Sequence, residues 1–251
     1  MHSYREKPKG LKKFANAIAL HLADEVWVNN EEIAGQVRRD YDLHDDRLIA
    51  IRHLLRPTEG ETNAGRSDPT FDAFAACHSP ILMSSAWRLM EFEGKDLYGF
   101  DVCVDLINRL KKTYPSVGLV LFIGRNDDRI RFQNLQRHVN DAGVSESMLI
   151  LDGDRRTLPY LPFVDLFLRC TRSDSFGISV AEAIYAGTPV VASDVCERPD
   201  GAITYNMDNF EDLVGKSVTV LQRPRTAHKD AKFMQDSLEI LLSRYKRLLK
   251  S

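Results

Sequence analysis

No apolar run in the 251-residue chain approaches the roughly 18 residues needed to cross a bilayer, and no secretory leader opens it. The expectation is a cytoplasmic protein, in contact with the inner face of a membrane only peripherally. Cysteine is scarce and scattered. Cys77, Cys103, Cys170 and Cys196 form no C-x-x-C pair, which argues against a zinc site and against a disulfide framework. His2, His53, His78 and His138 show no ligand spacing such as H-x-x-x-H. The chain also lacks a G-x-G-x-x-G fingerprint, a Walker loop and a G-x-S-x-G elbow, and the first of these argues against a nicotinamide enzyme. Charge of either sign is nearly balanced, at −2 overall, so there is no footprint for nucleic acid. Basic clusters at Lys7 to Lys13 and Arg244 to Lys250 read as solvated helix faces, with weak contact to anionic lipid as the other reading.

What is present is an alternation of short apolar strands with amphipathic helices. The pattern predicts a helix over 8–23, a strand at Glu25 to Asn29, a helix over Glu31 to Asp40 and a strand at Leu48 to Ile51. Residues 56–78 crowd Pro57, Gly60, Asn63, Gly65, Ser67, Asp68 and Pro69 together and read as a linker. Alternation then resumes with strands at Ile81 to Ser85, Gly118 to Ile123, Met148 to Leu151, Val164 to Leu168 and Pro189 to Ala192. Between and after them lie helices at Leu97 to Thr113, Asp127 to Ala142, from about Ser175 to Ser179 onward, and near Asn209 to Val214. A long terminal helix carries Met234, Leu238, Leu241, Tyr245 and Leu248 as one apolar stripe. Strands alternating with helices of this length imply parallel βαβ units. The fold class is therefore α/β: a Rossmann-like doubly wound parallel sheet over 79–251, preceded by a small incomplete α/β segment over 1–55.

Chemistry concentrates at residues 165–201. Asp174 and Glu182 stand eight apart, on either side of a helix opening that follows a buried strand. Ser179 and Glu182 have the spacing of a capping box, and Ser175 and Asp174 are also N-cap types. Alternatively, a carboxylate such as Glu182 can hold both hydroxyls of a ribose. Ser175, Phe176, Gly177 and Ile178 supply backbone N–H groups, and Gly177 leaves room for a phosphate to approach. Gly187 reads as a helix C-cap. Arg88 and Lys95 follow the first strand of the larger domain and could neutralise a diphosphate, or pair locally with Glu91 and Glu93. Arg198-Pro199 reads as a surface turn.

Asp174-Ser-Phe-Gly-Ile-Ser-Val-Ala-Glu182-Ala, followed by Ala186-Gly187-Thr188-Pro189-Val190-Val191-Ala192-Ser193-Asp194, resembles the signature of retaining glycosyltransferases of family 4, which have the two-domain GT-B fold. The longer form, from Arg169 to Pro199, looks like enzymes of bacterial surface-polysaccharide assembly. Ala23-Asp-Glu-Val-Trp-Val-Asn-Asn30 resembles the segment closing that family's N-terminal domain. Ser85-Ala86-Trp87-Arg88-Leu89 and Lys95 to Asp101 resemble its diphosphate-binding stretch. The resemblance implies that 79–251 is the donor-binding half, and that 1–55 is a remnant of the acceptor domain. It implies that Glu182 holds the nucleotide ribose and Asp174 the hydroxyls of the transferred sugar, these two being the catalytic pair. Arg88, Lys95 and the amides from Ser175 to Ile178 would meet the diphosphate of a UDP-sugar or GDP-sugar. No cofactor and no metal is implied, and the acceptor would be a glycan or lipid-linked. Where the family usually has Lys-Gly before the first helix, this chain has Tyr98-Gly99, and His2-Ser3 resembles the family's donor-facing histidine. Completing the cleft would take a partner chain or self-association.

Overall fold

In the computed structural model, residues 9–43, 46–51, 68–153, 156–223 and 232–249 are described. His2, His53 and the first part of the expected linker, 56–67, lie outside them. The chain divides into two units, Met1–Arg56 with Ala231–Ser251, and Pro57–Asp230.

Among the described residues the larger unit starts with α3 (Pro69–Cys77). For the numbering that follows, β1 is Val26–Val28, β2 Leu48–Ala50, α1 Gly10–Leu22 and α2 Glu31–Tyr41, all in the smaller unit. The larger unit continues with β3 (Ile81–Arg88), the hairpin β4 (Glu91–Phe92) and β5 (Lys95–Asp96), α4 (Phe100–Leu110), β6 (Gly118–Arg125), α5 (Arg129–Asp141) and β7 (Met148–Asp152). After these come β8 (Leu166–Arg169), α6 (Ile178–Tyr185), β9 (Val190–Ser193), β10 (Ile203–Tyr205) and α7 (Phe210–Leu221).

Among the described residues the main sheet has the order β10-β9-β8-β3-β6-β7, and every neighbouring pair is parallel. β3, the first strand of this sheet in chain order, therefore lies in the middle, with the sheet's second and third strands (β6, β7) on one side and its fourth to sixth (β8, β9, β10) on the other. This is the doubly wound Rossmann order, and the reversal between β3 and β8 opens a crevice outside their carboxyl ends.

Both faces of the sheet are covered, so the strands are near-continuous apolar runs rather than alternating ones. Leu82, Leu119, Leu121, Leu166, Leu168 and Val191 pack on one face with α4, α5 and α7. Ile81, Met83, Val120, Phe122, Phe167, Val190 and Ala192 pack on the other with α3 and α6. Each such large side chain fully withdrawn from water contributes about 1.5–3 kcal/mol, which is what holds the two layers onto the sheet.

Two domain boundaries differ from the expectation. The linker expected over 56–78 already contains α3: Asp68 accepts from the N–H groups of Thr70 and Phe71 (both 3.1 Å), and Pro69 starts the helix. Phe71 is fully buried against Tyr160, whose hydroxyl donates to Asp68 (2.7 Å). The expected domain over 79–251 also loses its terminal helix, α8 (Lys232–Leu248), which belongs to the smaller unit. There Tyr245 meets Trp27 edge-on at 4.9 Å, and Arg244 and Arg247 both bond Glu25.

In the smaller unit β1 and β2 form a two-stranded parallel sheet. Asn30 caps α2 by accepting from Ile33 N–H (2.8 Å), and Ala34, Val37 and Tyr41 bury its inner face. Helix α1 has no buried residue and exposes Leu11, Phe14, Ile18 and Leu22 at helical spacing.

Candidate functional site

Strand β8 is apolar until Arg169, and the loop 170–177 then carries the chain to α6. This loop lies at the carboxyl edge, on the β8 side of the reversal point. Asp174 is its centre. The Asp174 Oδ2 accepts from Arg169 Nε (2.9 Å), from Arg198 Nη1 (2.8 Å) and from the Thr171 hydroxyl (3.4 Å). Its Oδ1 accepts from Ser175 N–H (3.0 Å). Burial pushes this carboxyl up, but the charges and hydrogen bonds of Arg169 and Arg198 outweigh it and hold it well below the usual carboxylate range.

Arg198, expected in a surface turn, is instead buried. The ends of β8 and β9 supply the acceptors its guanidinium needs. Nε donates to the Ser193 carbonyl (2.8 Å), and Nη2 to Ser193 Oγ (3.0 Å) and Thr171 Oγ1 (3.1 Å). Ser193 Oγ in turn donates to the Thr171 carbonyl (2.6 Å). Arg169 reaches the other way, to the Ser85 carbonyl of β3 (3.1 Å), and lies 5.2 Å from the Tyr98 ring centroid. Two arginines thus meet one carboxylate, which leaves one positive charge in excess on the loop.

The capping box expected from Ser179 and Glu182 does not form. The N-cap is Gly177, which has no side chain to cap the helix, and Ser179 Oγ is buried without a partner. Glu182 lies in the second turn, half-buried, too far along to close a box. The first-turn N–H groups of α6 point at the carboxyl edge with the positive end of the helix dipole, the arrangement that receives anions. Gly177 is needed for a reason other than the one expected: its φ is +86°, and a Cβ there would come within 2.8 Å of Arg198 Nη1. Phe176 is buried and Ile178 exposed. Gly187, at φ +75°, follows the end of α6 as expected.

Arg88 ends β3 and Lys95 starts β5, both exposed. Neither has an ion pair or side-chain hydrogen bond among the described residues. The local pairing with Glu91 that the sequence allows is absent among the described residues, where Glu91 instead forms an ion pair with Arg131 Nε (3.4 Å). The foot of the hairpin is tied to the loop: Arg172 N–H donates to the Leu97 carbonyl (2.9 Å), and the Arg172 guanidinium clasps Asp101 (2.8 and 3.0 Å). The hairpin bearing Lys95 and the loop bearing Asp174 are therefore one assembly at one edge of the sheet.

The sequence reading missed the arginine clamp, Thr171 and Ser193. The available signal was a lone charge, Arg169, ending an otherwise apolar strand. Among the described residues no group of His, Cys, Asp and Glu side chains gathers as metal ligands, and no helix is long and apolar enough to cross a membrane.

The Rossmann-ordered sheet thus carries, at the edge where its order reverses, a helix started by a glycine and two cations without an ion pair among the described residues. Residues 92–223, over half the chain, match the family described as glycosyl transferases group 1, and the chain belongs to it. Over 99 residues it is 30% identical to the lipopolysaccharide core biosynthesis mannosyltransferase LpsB of Rhizobium meliloti, covering 39% of this chain and 28% of that protein. Among solved structures, a glycosyltransferase from Rickettsia africae superposes with a TM-score of 0.73 at 14% identity, covering 97% of this chain and 68% of that one. Anabaena HepE, in complex with UDP and glucose, superposes with a TM-score of 0.70 at 16% identity, covering 92% and 66%. The fold is shared, and this chain spans about a quarter to two-thirds of the length of these relatives.

Proposed function

We propose that the chain is the donor-binding part of a retaining GT-B glycosyltransferase of family 4 type, acting in polysaccharide biosynthesis. The donor is a UDP-sugar or GDP-sugar, and the acceptor a glycan or a lipid-linked sugar at the cytoplasmic face of a membrane. The observation that carries this reading is the N-terminus of α6, started by Gly177 at the sheet's reversal point, on the same edge as Arg88 and Lys95, which have no ion pair among the described residues. HepE with UDP and glucose, and the mannosyltransferase LpsB, support the ligand class.

In this reading the α6 amides, Arg88 and Lys95 receive the diphosphate. They stabilise the charge that grows on it as the bond to the sugar breaks, without a metal. Glu182 accepts from the ribose hydroxyls. Asp174 has most of its capacity committed to Arg169 and Arg198, so it orders the positive loop, and its Oδ1 retains one acceptor position for a sugar hydroxyl. Calorimetric titration with UDP, GDP and their sugars tests this. Glu182→Ala is expected to weaken binding at least about tenfold, the scale of a lost bond to a charged group. Unchanged affinity removes Glu182 from the site, and no binding of any nucleotide by the unaltered chain removes the donor-site reading.

A second reading is a nucleotide-sugar-binding subunit that turns over only with a partner chain or a second copy. The exposed apolar stripe of α1 favours it. Sugar release from the donor by the purified chain alone would exclude it.

A further inference from the structure

Exposure in β3 begins at Trp87. The six residues before it are buried, whereas Trp87 is 57% exposed. Alternation along the strand puts it on the α6 side of the sheet, because Ile81 and Met83 pack there with Val180 and Ala183, while Leu82 and Ala86 pack on the opposite side. Its surroundings hold it in place. The six-membered ring of the indole lies against Gly124 of β6. A Cβ at Gly124 would come within 3.1 Å of that ring and 2.9 Å of the Trp87 carbonyl, so only glycine allows the ring this seat. A large aromatic face is thus presented to solvent at the carboxyl edge, next in the chain to Arg88, which has no ion pair among the described residues.

We propose that the Trp87 indole is the stacking platform for the nucleobase of a nucleoside diphosphate. This rests on the nucleotide-binding reading and adds a residue that recognises the end of the ligand remote from the phosphates. A flat aromatic face beside exposed cations matches a ligand that is flat at one end and anionic at the other. A sugar ring would need polar partners at the rim of the indole. The polar groups closing β6 are already engaged, Arg125 with Asp127 (3.3 Å) and Asn126 with Asp152 (3.1 Å). Stacking on an aromatic tolerates any base, so the platform supplies affinity for the base and leaves the choice between bases to other groups.

The chain has two tryptophans, Trp27 and Trp87, so the difference in emission between the unaltered protein and Trp87→Phe isolates Trp87. UDP or GDP is expected to quench that component, while free glucose or mannose leaves it unmoved. By calorimetry Trp87→Ala is expected to weaken UDP and GDP about tenfold, or about 1.4 kcal/mol, within the range of base–aromatic stacking. Trp87→Phe keeps most of the affinity. Inorganic pyrophosphate, which has no base, binds the unaltered protein and Trp87→Ala equally. Nucleotide binding that is calorimetrically normal in Trp87→Ala overturns the platform and leaves the donor site standing. An equal loss for pyrophosphate makes Trp87 a structural residue and overturns it too, as does quenching by free sugar. No nucleotide binding by the unaltered protein fails the donor site itself, and the platform with it.

Discussion

Burial pushes the Asp174 carboxyl up, and two arginines more than reverse it. Because its folded pKa is depressed, the stabilisation it provides is complete above the unfolded value of about 4 and is lost as pH falls from there. Asp174→Asn leaves Arg169 and Arg198 without their counter-charge and is expected to cost about 3–5 kcal/mol at pH 7 by urea denaturation. The gap from the unaltered protein should narrow below pH about 4, and a cost under about 1 kcal/mol at pH 7 would show that the clamp is dispensable. Asp96 is the opposite case. Burial pushes its carboxyl up to about 6 despite bonds from Phe100 N–H (2.5 Å) and Tyr98 N–H (3.2 Å). A carboxyl raised on folding binds protons more tightly in the folded state, so this group's contribution falls as pH rises between about 4 and 6. Its carboxyl 13C shift should titrate with a midpoint near 6; a midpoint near 4 contradicts the burial.

Elements depend on such residues at their ends. Helix α4 starts at Gly99, whose φ is +70° and whose missing Cβ would sit 2.1 Å from the Cys170 carbonyl. Gly99→Ala therefore combines backbone strain with a clash against main chain, and about 3 kcal/mol or more of stability should be lost. A thermal midpoint within a degree or two of the unaltered protein refutes that contact. The apolar runs of β3, β6, β8 and β9 were legible in the sequence because strands buried on both faces leave no polar interruptions. Strand β10 was missed, since Ile203-Thr204-Tyr205 is too short to show a period. The β4–β5 hairpin was missed for the same reason, with two-residue strands turning at Glu93 and Gly94, both at positive φ. Helix α3 hid in an apparent linker because Pro69 was read as a breaker rather than as a first helical residue behind Asp68. The position of Asp174 and Glu182 about α6 was readable from local spacing. The clamp on Asp174 was not, because Arg198 arrives from 24 residues away and only the closed sheet brings it there.

At the scale of the molecule, the smaller unit is made from both ends of the described chain. Glu25 is its fastener. Burial raises its carboxyl, but hydrogen bonds from Trp27, Arg244 and Arg247 outweigh that and leave it lowered. Glu25→Gln weakens the hold on α8 without touching the sheet of the larger unit. Trypsin should then cut within 232–248 faster, while calorimetric nucleotide affinity stays as it was. Lost nucleotide affinity would mean that the two units do not act independently.

This arrangement also sets an order of assembly. Residues 10–50 cannot meet their partner helix until everything between has been made, because α8 follows the whole larger unit in the chain. Closing so long a loop in a disordered chain carries an entropy cost that grows only logarithmically with length, but it must be met before any contact repays it. A folded Rossmann unit shortens that search by fixing its own two ends. The interior of the sequence is thus expected to fold first, and its two flanks to find one another last.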